Sequence, residues 1–334
     1  MTSVDATEYK ALTTGVGCVR LTGRTLIEVT GKDRVSFLHN MCTNDVRRLA
    51  SGSGIEAFFT NAQGKILGHA YLFGEDDRIW IETAPGQAEP LLAHLSKYKI
   101  REDVQLIDRT PDVAEILLAG PRAESLLAQL LSATLPGERL AHARVEFGGT
   151  GGEAAAKSEG GMTVRLCRVD WTQPAAYLVI CAANEGDRVT TVLKNAGAVP
   201  CSGETYQAAR IEAGTPVYGT DISQANLPQE VARDEAAISF TKGCYIGQET
   251  VARIDALGHV NQLLVGVRFS GDAVPAPETE LSIEGKKLGR VTSAIWSPKL
   301  GGPLALAYVR RAAVEQGSVL ESPAGEAVVV ALPV

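Results

Sequence analysis

The sequence predicts an α+β protein in two parts, and three observations carry that reading. Before Gly258, strands joined by turn residues alternate with stretches of helical apolar spacing. From Gly258 onward, short strand candidates follow one another between Gly, Pro and acidic turns, with no helix of useful length. The chain has 334 residues, more than one ordinary domain needs. The predicted units are residues 1–257, mixed helix and hairpin, and residues 258–334, a small antiparallel barrel or sandwich.

Val19–Val29 is rich in β-formers and reads as one strand ending at Gly31. Thr30 with Asp33 three residues on resembles a capping box, and Val35, Leu38, Cys42, Val46 and Leu49 then form one helical face. Ile55, Ala57 and Phe59 alternate as in a strand, Asn61–Gly64 is turn material, and Lys65–Phe73 and Arg78–Thr83 are strands about a second turn. Leu91, Leu92, Leu95 and Tyr98 predict a helix. Strands at Val104–Asp108 and Val113–Leu118 lead to a helix opened by Pro121. Gly148–Gly161 reads as a glycine-rich hairpin tip or loop. Met162–Val169 and Tyr177–Cys181 read as paired strands, and Asp187–Asn195 and Thr205–Glu212 as helices. The C-terminal unit offers strands at Leu263–Phe269, Leu281–Ile283, Leu288–Ile295, Leu304–Val309, Ser318–Leu320 and Ala327–Leu332.

Composition narrows the function. Charged residues are 21% and the net charge is −7, which excludes a strongly basic, wholesale binder of phosphate backbones, so no direct nucleic-acid partner is expected. The N-terminus lacks the layout of a secretion signal, and the longest apolar run, Ala175–Ala183, is about half the ~20 residues that span a bilayer. A cytoplasmic protein with no membrane partner is expected. Six cysteines, at 18, 42, 167, 181, 201 and 244, show no CxxC or close pair, so no metal site held by this chain alone is expected.

Two G-x-G-x-x-A matches, at Gly52, Gly54 and Ala57 and at Gly149, Gly151 and Ala154, lack the strand-then-helix context of a pyrophosphate site. More informative is the motif Lys242, Gly243, Cys244, Tyr245, Ile246, Gly247, Gln248 and Glu249. Its glycines permit close backbone approach, and Gln248–Asp255 has helical character with Gly258 as a stop. Cys244 then precedes a helix N-terminus with Lys242 close by, two influences that favour thiolate. The alternative is a buried cysteine in a tight turn. Arg210, at the end of a helix, is either a carboxylate clamp or a surface arginine favoured by the helix dipole.

The 242–249 motif resembles the hallmark of the YgfZ family, folate-binding relatives of the glycine cleavage T-protein that support iron–sulfur cluster assembly or repair. The likeness extends to Phe37-Leu38 with Thr43–Val46, to Asn61–Lys65, to Arg210–Asp221 as R-x-E-x-G-x-x-x-Y-G-x-D, and to Gly289–Ser293 with Ser297-Pro298. It implies two interleaved α/β subdomains and a C-terminal antiparallel β-barrel around a central opening that holds tetrahydrofolate or a derivative. It also implies that Arg210 contacts the folate and Trp80 belongs to the pocket wall, with Glu82 on the same side of its strand. Two departures stand out. Aminomethyltransferases carry an Asp pair where this chain has Gly68-His69, and a G-Y-T-G-E stretch where it has Asp170–Pro174. A neutral imidazole does not stabilise a developing cation as a carboxylate does.

The expected function is therefore folate-linked support of iron–sulfur proteins, and indirectly of tRNA modification, rather than conventional enzymology. Cys244 is the expected thiol, tuned by Lys242, with Gln248 and Glu249 organising the loop. Partners are folate and iron–sulfur client or carrier proteins. The alternatives are a tetrahydrofolate-dependent aminomethyltransferase using His69 or Glu82, and a folate sensor or scaffold without chemistry.

Overall fold

The computed structural model describes residues 4–131, 133–147 and 161–334. The glycine-rich stretch read at Gly148–Gly161 therefore lies outside the described residues, Gly161 excepted, and so does the second G-x-G-x-x-A match.

In chain order the first region comprises α1 (Ala6–Thr14), β1 (Gly17–Leu21), β2 (Thr25–Thr30), α2 (Arg34–Met41), β3 (Gly54–Thr60), β4 (Ile66–Gly74), β5 (Arg78–Thr83), α3 (Ala88–Tyr98), β6 (Gln105–Asp108) and β7 (Val113–Ala119). It continues through α4 (Ala123–Leu130), β8 (His142–Phe147), β9 (Met162–Val169), β10 (Ala176–Ala182), α5 (Gly186–Asn195), β11 (Val199–Cys201), α6 (Gly203–Ala213), α7 (Asp234–Ala237) and α8 (Gln248–Leu257). The second region holds β12 (Gln262–Phe269), β13 (Glu280–Ile283), β14 (Lys286–Ser297), β15 (Gly302–Arg310), β16 (Val319–Ser322) and β17 (Gly325–Val330).

Among the described residues the first region forms two sheets, of order β11-β1-β7-β10-β9-β8 and β3-β4-β5-β2-β6. Each is covered on its outer face by helices: Leu126, Leu127, Val189 and Leu193 of α4 and α5 pack on the first. Phe37, Leu38, Leu91 and Leu95 of α2 and α3 pack on the second. The inner faces meet through Tyr71, Phe73 and Trp80 against Leu117, Cys167, Val169 and Leu178. Each such side chain contributes about 1.5–3 kcal/mol by leaving water. The second region closes β12-β15-β14-β13-β16-β17 into a barrel rather than a sandwich. No helix among the described residues is long and apolar enough to cross a membrane.

Several local expectations change. Val19–Val29 is two strands, because Gly23 turns the chain at a φ of 71° and sends β1 and β2 into different sheets. Asp33 makes no side-chain cap for α2; its carboxylate accepts instead from the Asp103 amide at 2.8 Å, and Cys42 lies beyond the helix in extended backbone. Helix α4 begins at Ala123 with Arg122 as its cap residue, so Pro121 precedes the helix. The sequence reading missed α1, whose polar face hides it and whose Asp5 side chain accepts from the Thr7 and Glu8 amides at 2.8 and 3.0 Å. It missed β8 and β11 as well.

The joint between the two regions explains one of the quoted motifs. Arg210 Nη1 donates to Asp221 Oδ2 at 2.8 Å and to the Thr215 carbonyl at 3.1 Å. Asp221 Oδ1 accepts from the hydroxyls of Thr292 at 2.7 Å and Ser293 at 2.6 Å. Two consecutive strand residues normally face opposite ways; here β14 breaks register between Val291 and Ser293, and the bulge turns both hydroxyls toward one carboxylate. Glu212 adds a second tie, accepting from Tyr9 at 2.7 Å and from Ser297.

Candidate functional site

A narrow cleft of about 20 Å³, room for little more than a water, lies where the two sheets meet the segment after α6, walled by Arg24, His69, Tyr71, Trp171, Tyr206 and Tyr218. Arg24, Tyr206, Val217 and Tyr218 also line a wider groove of about 390 Å³, which makes the cleft and the groove contiguous.

The strand β4 supplies His69 and Tyr71, two residues apart and so on one face of the sheet. The His69 ring stacks on Phe58 at 5.0 Å and lies 5.5 Å from Tyr71, which lies 5.3 Å from Trp171. Arg24 sits 4.4 Å over the Trp171 ring. Behind this aromatic wall, His69 Nε2 is 2.7 Å from Oε1 of the fully buried Glu56. Arg233 donates to both Glu56 oxygens, at 2.8 and 2.6 Å, and Arg139 donates to Oε2 while pairing with Asp170 at 2.8 Å. Burial pushes the Glu56 carboxyl up, but the His69 hydrogen bond and the Arg233 charge outweigh it and hold the group well below the usual carboxylate range. Glu56 is thus a fixed anion that sets the orientation of His69.

A second charged set lies between the sheets. Glu82 is fully buried and bonded to Arg24, which also lies 3.6 Å from Glu115. Burial, with the Glu82 charge added, pushes the Glu115 carboxyl up to about 8; burial also raises Glu82, against the pull of Arg24. Glu82 Oε2, both Glu115 oxygens and Trp171 Nε1 are buried without hydrogen-bond partners. Trp80 shares the inward face of β5 with Glu82, but it packs in the inter-sheet core with Arg165 4.3 Å over its ring, away from the cleft wall.

Cys244 lies elsewhere, on the loop before α8. Four of the six cysteines are buried, Cys201 is half-buried and Cys244 is exposed. Three contacts hold the loop: the Ile246 amide donates to the Asn40 carbonyl at 3.1 Å, Thr60 Oγ1 to the Ile246 carbonyl, and the Tyr245 amide to Gln248 Oε1 at 3.3 Å. Gly247 has a φ of 83°, and a Cβ there would stand 2.4 Å from the Asn61 carbonyl oxygen, so only glycine lets this loop rest on the turn that opens β4.

The role read for Lys242 does not survive. Its ammonium is buried and donates to the carbonyls of His39, Cys42 (2.7 Å) and Asn44 (3.0 Å). An ammonium has three protons, and three carbonyls take them, so Lys242 clamps the end of α2 and has no proton to offer Cys244. Glu249 is exposed and its side chain makes no hydrogen bond among the described residues, leaving Gln248 as the organiser of the loop. Cys244 also stands four residues before α8, outside the first turn in which a helix dipole acts. Arg210 is 1% exposed and engaged in the joint with Asp221, a clamp on the chain's own carboxylate, and is absent from the walls of cleft and groove.

The structure thus gathers His69 with residues that the sequence reading passed over: Glu56, Tyr71, Arg24, Arg233, Trp171 and Tyr206. A faint signal existed. Glu56 and Glu115 are lone carboxylates in otherwise apolar strands, positions that folding leaves charged only when a partner arrives. Among the described residues no three or more His, Cys, Asp or Glu side chains are gathered as metal ligands.

Two helix-backed sheets meeting at a cleft, tied to a closed six-stranded barrel, define the T-protein class of fold. The chain belongs to that family: residues 1–242 match the GCVT N-terminal domain and residues 263–334 the glycine cleavage T-protein C-terminal barrel domain. It is similar to the aminomethyltransferase of Herpetosiphon aurantiacus, 29% identical over 320 residues that cover 94% of this chain and 84% of that one. A chloroplastic protein of Arabidopsis thaliana, named as a transferase, is 27% identical over 93% of this chain and 69% of its own length. The crystal structure of the glycine cleavage system aminomethyltransferase T from Bartonella henselae superposes with a TM-score of 0.83 at 20% identity, covering 98% of this chain and 88% of that one.

Proposed function

We propose that this chain is a cytoplasmic protein of the YgfZ kind, which binds tetrahydrofolate or a derivative in the central groove and the cleft that opens from it, and supports assembly or repair of iron–sulfur clusters. The observation that carries the reading is Cys244: the one exposed thiol of six, on a loop locked by Gly247 and Gln248 against the start of β4. The groove and the cleft that opens from it suit a flat heteroaromatic ring, since Tyr71, Trp171, Tyr206 and Tyr218 line them with aromatic surface and Trp171 Nε1 has no hydrogen-bond partner. When bound, a reduced folate supplies a one-carbon acceptor or donor. Arg24 orients Trp171 and neutralises Glu82, and Tyr218 closes the wall toward the groove. One cysteine cannot hold a cluster alone, so the remaining ligands would come from a client or carrier protein. Any influence on tRNA modification is then indirect, through cluster-dependent enzymes.

The test has two arms. Calorimetric titration with tetrahydrofolate under reducing conditions should give saturable binding that Tyr218→Ala weakens; no binding by the unaltered chain would remove folate from the reading. Cys244→Ala should fail to restore iron–sulfur enzyme activities in a complementing strain, and full restoration would leave a folate sensor or scaffold.

A second reading, a tetrahydrofolate-dependent aminomethyltransferase, is favoured by the Glu56–His69 pair. A fixed anion behind an imidazole at the cleft wall is the arrangement of a general base. Turnover of a one-carbon donor that depends on tetrahydrofolate and is lost in His69→Ala would select it.

A further inference from the structure

A second cavity, of about 340 Å³, lies between the C-terminal end of α8 and the barrel and shares no lining residue with the cleft. Gln229 lines it and is 5% exposed. Its Nε2 donates to the Val251 carbonyl at 2.8 Å, which fixes the orientation of the amide and leaves Oε1 buried without a donor. Asp234 Oδ1 is likewise unpartnered, and burial, then the charges of Asp255 and Glu235, push that carboxyl up to about 6. Asp255 and Arg311 line the same cavity and form no ion pair with each other or with any other described residue. Leu263 and Val314 complete an apolar wall. Two buried acceptors without donors, beside an acidic and a basic side chain that do not pair, give the cavity the polarity of a site for a zwitterion.

We propose that this cavity binds a free α-amino acid with an apolar side chain. The ammonium has three donors for three acceptors: Gln229 Oε1, Asp234 and Asp255. The carboxylate suits the fork of Arg311, and the side chain the apolar wall.

The chain would be titrated calorimetrically at pH 7.5 with L-leucine and L-methionine, beside 3-methylbutylamine, which is leucine without its carboxylate. Saturable binding of an amino acid is expected, weakened at least tenfold in Arg311→Ala and in Asp255→Asn. Both side chains are exposed, and circular-dichroism melting should show both variants folded. No saturable binding of either amino acid would overturn the proposal. So would 3-methylbutylamine binding as tightly as leucine, or an Arg311→Ala variant, folded, that binds undiminished.

Discussion

The barrel and the inter-sheet region bury similar strands in opposite ways. The barrel core is apolar throughout, with Val267, Phe269, Leu281, Val291, Leu320 and Val329 among its members. The inter-sheet region encloses Glu56, Glu82 and Glu115 with Arg24, Arg139, Arg165 and Arg233 beside its aromatic rings. An apolar core stabilises whatever surrounds it and recognises nothing. Buried charges cost desolvation, need partners and are retained where orientation of a polar group matters. The barrel therefore reads as scaffold and the inter-sheet region as site.

The sharpest way to break that contrast is Glu56→Ala. It leaves Arg139 and Arg233 facing an empty place, and the expected loss is roughly 3–5 kcal/mol in urea unfolding at pH 7. Its pH dependence has a definite sign. The folded carboxyl lies below its unfolded value, so the contribution is complete above about pH 4.5 and is lost as pH falls toward the depressed value. A loss under 1 kcal/mol would mean that the arginines do not depend on this anion.

Leu320→Ala, in the fully buried barrel core, should cost about 2–5 kcal/mol. The same value is expected at pH 5.5 and pH 8, because no titrating group shares that core; a marked difference would contradict the scaffold reading.

Glu115→Gln should do the reverse of most core substitutions. With a folded pKa raised to about 8, Glu115 contributes stability fully below the ordinary carboxylate range and loses it as pH rises through 8. The amide does not titrate, so the variant should be the more stable chain at pH 8, by ~2 kcal/mol, and show little gain at pH 5. Equal unfolding midpoints at pH 8 would show that Arg24 already neutralises the pair. The smallest effect belongs to the barrel surface: Lys287 and Glu280 are 58% and 50% exposed at 3.0 Å, and Lys287→Ala should cost less than about 0.5 kcal/mol.

Legibility followed the same division. The hairpins of β3–β4, β4–β5 and β9–β10 and all six barrel strands could be read locally, because two-residue alternation and turn residues report directly on them. The site could not. Arg233 reaches Glu56 across 177 positions of sequence, and Lys242 reaches Cys42 across 200. A lysine two residues from a cysteine looks like its neighbour until the fold turns it away.

The sequence by itself determined the alternation of elements, the run of short antiparallel strands after Gly258 and the close approach permitted at Gly247, since these depend on residue size, period and backbone freedom. Only the tertiary structure decided that Arg210 serves a joint, that Lys242 is a clamp and that His69 is held by Glu56. Partner choice between charged side chains is a matter of distance and burial, and a chain acquires those only when it folds.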